Sequence, residues 1–329
     1  MDFSVIIPNH NGAGTLGEVL AAVFAARYSS LEVIVADDAS TDDSSAITAG
    51  YPVRLIKHES CQGAAATRNS GAEQARGEIL LFIDSDVVIP PETFHILEKH
   101  FDDPETSGVI GLLRPVTRFK NLCSQYKNFY MHYTYLKLPR RVTVFYTSIA
   151  AIRKKAFAQC GGFDTAYRSA TIEDMDFGVR LTGRGFRILI DKSLQVDHIR
   201  RYTPPGLLKT GFRRAAGLAR IALRDRLSRK EKSSYVTANP AFLARIALSF
   251  LTVLFLILLI VFGNPRWLLP AGACWLAIVV LNSDFLTGLA RATRPFFFVA
   301  GSGLIFLDLL AYGCGVLWGV VSFLRGERY

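Results

Sequence analysis

The chain has 329 residues, half of them hydrophobic, enough for one large domain or two smaller units. Its formal charge of +10 is concentrated: residues 1–197 hold 21 Lys and Arg against 23 Asp and Glu, whereas residues 198–232 hold 11 against 2. A basic surface over a whole domain would suggest nucleic acid, and this distribution argues against it; one basic segment ahead of an apolar tail suggests the cytoplasmic face of a membrane.

The chain opens on a short apolar run with no basic region before it, too short for a signal peptide, so its first part is expected to stay in the cytoplasm. Phe3–Ile7, Leu31–Ala36, Val53–Lys57 and Ile79–Ile83 predict strands, with helical patterns between them near residues 15–27, 42–49 and 64–76. Thr15 and Glu18 have the spacing of a capping box. Strands alternating with helices predict an α/β fold with a largely parallel sheet, whose ligands sit at the carboxyl ends of the strands. The turns on that edge carry Pro8-Asn9-His10-Asn11, Asp37-Asp38 and Asp84-Ser85-Asp86. From about 113 to 200 the alternation fades. Gly161-Gly162-Phe163-Asp164 reads as a turn, a helix is expected from about Glu173 to Gly183, and Phe186–Ile190 and Leu194–His198 read as strands.

After Pro204-Pro205 the pattern is amphipathic: Lys209, Arg213, Arg220 and Arg224 fall within a stripe of about 60°. Leu207, Leu208, Phe212, Leu218, Ala219 and Leu223 occupy the broad remaining face, with Arg214 and Arg226 as exceptions. A basic stripe beside an apolar face suits a helix lying in the lipid interface, and is favoured here over a solvated helix packed on the domain. Ala241–Phe262 is long enough to cross a bilayer, Trp267–Leu281 is short for a span, and Phe296–Leu324 is a third apolar run containing Asp308. Gly301-x-Gly303 and Gly313-x-Gly315 suggest close helix contacts, and Asp308 is expected to face a neighbouring helix or an interfacial cavity. Arg291 and Arg294 place the second connection on the cytoplasmic side, and two or three spans fit.

Several motifs carry chemistry. Asp84-Ser85-Asp86 follows an apolar strand, and two carboxylates there can reach one ligand region when the turn breaks the strand's alternation; hard divalent cations want such oxygens. Asp37-Asp38 can accept hydrogen bonds from a base N–H or a ribose hydroxyl, although Ser40 or Asp42 would serve equally as a helix N-cap. Gly12-Ala13-Gly14-Thr15-Leu16-Gly17 satisfies a dinucleotide-binding pattern, with Asp37 further on. Four residues intervene between the strand and the first glycine, however, and that reading leaves Asp84, Asp86 and the apolar tail unexplained. Glu173-Asp174 at a helix start can supply a base for proton removal, or simply complement the helix dipole. Five cysteines without C-x-x-C spacing support neither a disulfide framework nor a zinc cluster; free, mostly buried thiols are expected.

Taken in order, Ser4-Val5-Ile6-Ile7-Pro8-Asn9-His10-Asn11, Asp37-Asp38-Ala39-Ser40-Thr41-Asp42, Gly63-Ala64-Ala65-Ala66-Thr67-Arg68-Asn69, Gly77-Glu78, Asp84-Ser85-Asp86, Gly161-Gly162-Phe163-Asp164 and Glu173-Asp174 resemble the family 2 glycosyltransferases, which have a GT-A fold. The match runs over about residues 3–200. The resemblance implies that Pro8 and Asp38 flank the nucleotide base, with Asn11 in the same nucleotide-sugar set and Arg68 near the nucleotide. It implies Asp84 near ribose or metal, Asp86 as a metal ligand and Asp174 as catalytic base, with Glu173 and Asp164 contacting acceptor or donor sugar. His198 stands where some GT-A enzymes place a further metal ligand; a structural histidine fits equally well. The Q-x-x-R-W motif of processive members is missing, the comparable region reading Lys209-Thr210-Gly211-Phe212-Arg213-Arg214, which implies transfer of a single sugar. Ala39 stands where the family usually has Gly.

The expected organisation is a GT-A domain over 1–200, a basic amphipathic segment over 201–240 and a transmembrane region over 241–329. The expected activity is inverting and dependent on Mn2+ or Mg2+. It moves sugar from a nucleoside-diphosphate sugar, with UDP-sugars the leading class, to a hydroxyl of a lipid or lipid-linked acceptor at the cytoplasmic membrane. Transfer to a polyprenyl phosphate is the near alternative, an NAD(P)-binding oxidoreductase on Gly12–Gly17 the distant one. A degenerate, inactive domain is disfavoured by the intact aspartates.

Overall fold

The computed structural model describes residues 1–167, 172–227 and 240–327, so Thr171, ahead of Glu173, and residues 228–239 of the basic segment lie outside the described residues. The chain divides into two compact units, Met1–Arg118 with Met131–Arg200, and Phe119–Tyr130 with Arg201–Tyr329.

The first unit begins with β1 (Phe3–Asn9), β2 (Leu31–Asp37), β3 (Arg54–Lys57) and β4 (Ile79–Ile83), connected by helices α1 (Ala13–Ala25), α2 (Ser44–Ala49) and α3 (Ala64–Gln74). These strands pair in parallel, Phe3 standing opposite Leu31 on one side and Ile79 on the other. Their apolar runs are buried on both faces: every residue of β4 is buried, as a strand covered by helices on each side requires. The chain continues through β5 (Val87–Val88), α4 (Thr93–Phe101), β6 (Thr106–Leu113), α5 (Leu122–Leu136, which belongs to the second unit as far as Tyr130), β7 (Arg141–Val142), β8 (Ile149–Arg153), α6 (Lys154–Gln159), α7 (Glu173–Gly183) and β9 (Arg187–His198). The sheet order is β3-β2-β1-β4-β8-β6-β9-β5, with β7 on β9.

The sheet is largely parallel as expected, with β3, β2, β1, β4, β6 and β9 running one way, but β8 is inserted antiparallel to both β4 and β6; that insertion follows the path of the connections, which local periodicity does not encode. Two expectations need correction. The two strands expected over Phe186–Ile190 and Leu194–His198 are one, and the polar break Asp191-Lys192-Ser193 is absorbed as a register shift against β6 between Ile110 and Leu112. The capping box does not form. Gly12 is the N-cap of α1, so Thr15 is already inside the helix; its hydroxyl donates to Ser85 O at 2.7 Å, and Glu18 pairs with Arg118 at 2.8 Å.

In the second unit, α8 (Pro204–Leu227) is followed by α9 (Pro240–Phe262), a 3-10 turn at Pro265–Trp267, α10 (Leu268–Leu281), α11 (Ser283–Ala292) and α12 (Phe296–Leu324). Helices α9 and α12 are long and apolar enough to cross a membrane; Pro265–Leu281 with Ser283–Ala292, bent by 63°, would make a third span. Helix α8 does not offer its whole apolar face to lipid, because Leu207, Leu218 and Ile221 are buried and the helix lies along α12. A Cβ added at Gly315 or Gly319 would stand 2.3 Å from Phe212 O or 2.4 Å from Ala216 O, so only glycine permits that approach. Gly301 and Gly313 also meet neighbouring helices, through Leu286 and Phe250, whereas Gly303 faces open space. Asp308 is buried and accepts a hydrogen bond from Tyr126 at 3.0 Å. The cysteines are free, but only Cys123 and Cys160 are buried; Cys61 and Cys314 are exposed, against the expectation of mostly buried thiols.

Candidate active site

A cleft of about 320 Å³ opens at the carboxyl ends of β1, β2 and β4, where Pro8, Asp38, Arg68, Asp84 and Asp86 meet. Parallel pairing puts Asn9 opposite Asp37, and Asn9 Nδ2 donates to Asp37 Oδ2 at 2.8 Å. The next turn is tied across the strands: Asn11 N donates to Ser40 Oγ at 2.8 Å and Thr41 N to Asn11 Oδ1 at 2.8 Å. Both Asn11 (φ 53°) and Ala39 (φ 58°) take left-handed backbone, which explains the preference for glycine at the second position and marks local strain in this chain.

Asp38 is 4% exposed, and its carboxylate is fully engaged by the loop that follows β3. His58 Nδ1 and Gln62 N stand 2.9 and 2.8 Å from Oδ1, while Gly63 N and Cys61 Sγ donate to Oδ2 at 2.8 and 3.2 Å. Burial works against the charged form, and these donors together overcome it, holding Asp38 down at about 2. Asp38 therefore shapes the wall of the cleft through the loop.

Arg68, on α3, is the centre of the site. It is buried, with Nη2 on Asp84 Oδ1 and Nη1 on Glu173 Oε1, each at 2.8 Å. Burial disfavours its charge, but Asp84 and Glu173, with Asp174 adding its field, raise its pKa further. Ser148 donates to Asp84 Oδ2 at 2.9 Å, so both oxygens of Asp84 are held. Glu173 is 3% exposed, and its second oxygen accepts from Ile172 N at 3.0 Å. One guanidinium among three carboxylates leaves the locality acidic.

Asp86 lines the same cleft but takes its side-chain partners from the end of β9 and the residues after it. Val87 N donates to Asp84 O at 3.0 Å, closing the turn, and Val87 pairs with His198 on β9. That register brings His198 Nε2 to 3.6 Å and Arg200 Nη1 to 3.8 Å from Asp86 Oδ2. Desolvation pushes the Asp86 carboxyl up, and His198 with Arg200 outweighs it, so the group is held below its ordinary range. Helix α7 is fixed by packing. The Phe177 ring packs tilted against Phe163 with centroids 4.6 Å apart, Asn69 Nδ2 donates to Phe163 O at 2.8 Å, and Gly162 (φ 65°) leaves no room for a Cβ beside Asn69.

Thus Pro8, Asp38, Arg68, Asp84 and Asp86 line one cleft, His198 stands beside Asp86, and Glu173 joins the cluster through Arg68. Asn11 and Asp164 are not among the residues lining the cleft: Asn11 staples the neighbouring turn, and Asp164 Oδ1 accepts from Ala166 N at 2.9 Å. Sequence reasoning missed Ser148 and Arg200. Arg200 could have been found as the residue two beyond His198; nothing local marks Ser148. The glycine pattern Gly12–Gly17 caps α1 behind the turn, with Gly12 packed on Asn9 Oδ1 and Gly17 facing Ile47.

Residues 4–161 match the family model described as Glycosyl transferase family 2. The chain is 29% identical over 188 residues to an uncharacterized glycosyltransferase of Haemophilus influenzae, covering 54% of this chain and 61% of that one. It is 29% identical over 212 residues to the pre-mycofactocin glycosyltransferase of Mycobacterium tuberculosis, covering 61% and 43%. It thus spans less than two thirds of these relatives' lengths. Among solved structures it is similar to the mannosyltransferase PcManGT from Pyrobaculum calidifontis in complex with GDP-Man and Mn2+, with a TM-score of 0.61 and 21% identity over 96% of this chain and 87% of that one. That likeness establishes the fold.

Proposed function

Because this chain carries a family 2 glycosyltransferase domain on a GT-A fold, we propose that it transfers a single sugar, with inversion, from a nucleoside-diphosphate sugar to a hydroxyl of a lipid or lipid-linked acceptor. The observation that carries this reading is the single cleft in which Pro8, Asp38, Arg68, Asp84 and Asp86, drawn from four separate segments, converge at the strand ends. The nucleotide lies against Pro8 and the loop held by Asp38, with Asp84 and Arg68 towards the ribose. UDP-sugars are the first donors to test; the structural neighbour's GDP-Man makes GDP-mannose the second.

Asp86 and His198 suit a divalent cation: one carboxylate and one imidazole, 3.6 Å apart, with Arg200 alongside at 3.8 Å. A bound Mn2+ or Mg2+ supplies charge neutralisation for the departing diphosphate. Asp174 takes the proton of the acceptor hydroxyl as that oxygen bonds to the sugar carbon, while the electron pair of the broken bond leaves with the nucleotide diphosphate. Glu173, both oxygens engaged, anchors the first turn of α7 and so holds Asp174 in place. The basic stripe of α8 and the apolar helices α9 and α12 support an inner-membrane location with the catalytic unit towards the cytoplasm.

The test is Asp174→Asn, assayed against a donor and acceptor panel. Hydroxyl transfer should fall by about 10²–10⁴-fold while UDP with Mn2+ still raises the melting temperature. A phosphate acceptor is already ionised and needs no base, so near-parental turnover in D174N would overturn the hydroxyl reading in favour of a polyprenyl phosphate.

A further inference from the structure

We propose that His10, Asp38 and Cys61 form a second metal site, for a borderline-soft ion such as Zn2+, at the mouth of the cleft. Its occupation would exclude the nucleotide. The three residues come from the ends of β1 and β2 and the loop after β3, so no sequence spacing announces them. One ligand atom from each nevertheless lies within 4.8 Å of the others.

The existing hydrogen bonds already prepare the ligands. The Cys61 thiol donates to Asp38 Oδ2 at 3.2 Å, and a cation would take the place of that proton. The S–H bond breaks, the proton passes to solvent, and a metal–thiolate bond forms with no change of oxidation state. Oδ2 keeps its bond from Gly63 N, while Oδ1 keeps Gln62 N and the His58 ring, so the carboxylate is oriented by an outer shell before any ion arrives. His10 Nδ1 is 2.7 Å from Asp38 O, which can only accept; Nδ1 therefore carries the hydrogen, and Nε2 holds the lone pair that accepts from Asn11 Nδ2 at 3.2 Å, a donor an ion would displace. His10 and Cys61 are exposed, so both can turn onto an ion held by the buried Asp38, with a fourth position open to water.

The donor set decides which ion. Thiolate and imidazole select Zn2+ or Co2+, whereas Mg2+ and Mn2+ prefer the carboxylate oxygens around Asp86. The two sites are therefore chemically distinct. Pro8, His10, Asp38 and Cys61 all line the same cleft as Asp84 and Asp86. An ion here occupies the end assigned to the nucleotide base, and this consequence rests on the proposed transferase reading.

The experiment is a Co2+ titration of the full-length protein in detergent. The expected result is a near-ultraviolet thiolate-to-cobalt band with intense tetrahedral visible bands, saturating at one equivalent and bleached by Zn2+. Cys61→Ser and His10→Ala should each abolish the band and weaken Zn2+ binding by more than the roughly 10–100-fold typical of losing an outer-shell partner. Thermal melts check that both variants fold, and exposed His10 provides the test if C61S does not. Retention of the band in both variants, or no band in the parent, overturns the site. If the band behaves as expected and excess UDP with Mg2+ suppresses it, the exclusion holds as well. If UDP leaves it untouched, the metal site stands and the placement of the nucleotide fails.

Discussion

Arg68→Met is the sharpest probe of how the site is built. The Arg68 and Glu173 side chains are 5% and 4% exposed and joined at 2.8 Å, so the pair is shielded from water. Removing the guanidinium leaves Glu173 charged and buried without its cation, while Ile172 N still donates to its other oxygen. Breaking a buried pair from one side costs about 3–5 kcal/mol. Asp84, 29% exposed and held by Ser148, loses less, about 1 kcal/mol at most. For a domain of this size 1 kcal/mol moves the melting temperature by about 2–4 °C, so a total loss of about 3–6 kcal/mol should make R68M melt about 6–24 °C lower. The double variant R68M/E173M, which removes both charges, should recover most of the loss, because a buried ion pair is close to neutral against apolar replacements of similar volume. The assay is thermal unfolding of the full chain in detergent. Melting of R68M within about 2 °C of the parent would refute the reasoning, as would a double variant no more stable than R68M.

Asp86→Asn should remove most of the melting-temperature rise that UDP produces with Mn2+, with His198→Ala giving a smaller loss; an unchanged rise in D86N would place the cation elsewhere. Asp191 is held below the ordinary carboxylate range, chiefly by His100 Nε2 at 2.6 Å, against its partial burial. A depressed carboxyl stabilises the fold above its unfolded pKa, and the effect is lost as pH falls. Asp191→Asn should therefore lower stability by about 1.5–3 kcal/mol at pH 7, with the deficit shrinking as pH drops from about 4 towards 2. Urea unfolding across that range checks both sign and window. Ala39→Gly should stabilise the protein by about 0.5–1 kcal/mol, since relief of left-handed strain exceeds the added freedom of the unfolded chain; equal or lower stability would mean that Ala39 is not strained.

The sequence by itself determined the elements whose signal is local. Phe3–Ile7, Leu31–Ala36 and Ile79–Ile83 read correctly as strand cores, because buried β-branched and aliphatic runs bounded by Pro, Asp and Gly have few other solutions. Helix α7 matches its expected Glu173–Gly183 bounds, and α12 its Phe296–Leu324 run. Parallel alternation also made the strand ends, and hence Pro8, Asp38, Asp84 and Asp86, legible as one edge. The tertiary structure alone decided the antiparallel insertion of β8, the single bulged β9 and the starting point of α1. It alone showed Arg68 linking Asp84 to Glu173, which lies 105 residues beyond Arg68, Ser148 holding Asp84, and Asp38 spending its lone pairs on the loop that carries Cys61. Helix α8 shows the same division: its periodicity exposed two faces, but only packing put α12, rather than lipid, against part of the apolar one. Periodicity records what each residue needs from its surroundings, burial or water, within a few positions along the chain. Which distant partner meets that need depends on the route of the backbone and on simultaneous packing of every element, and no local pattern contains it.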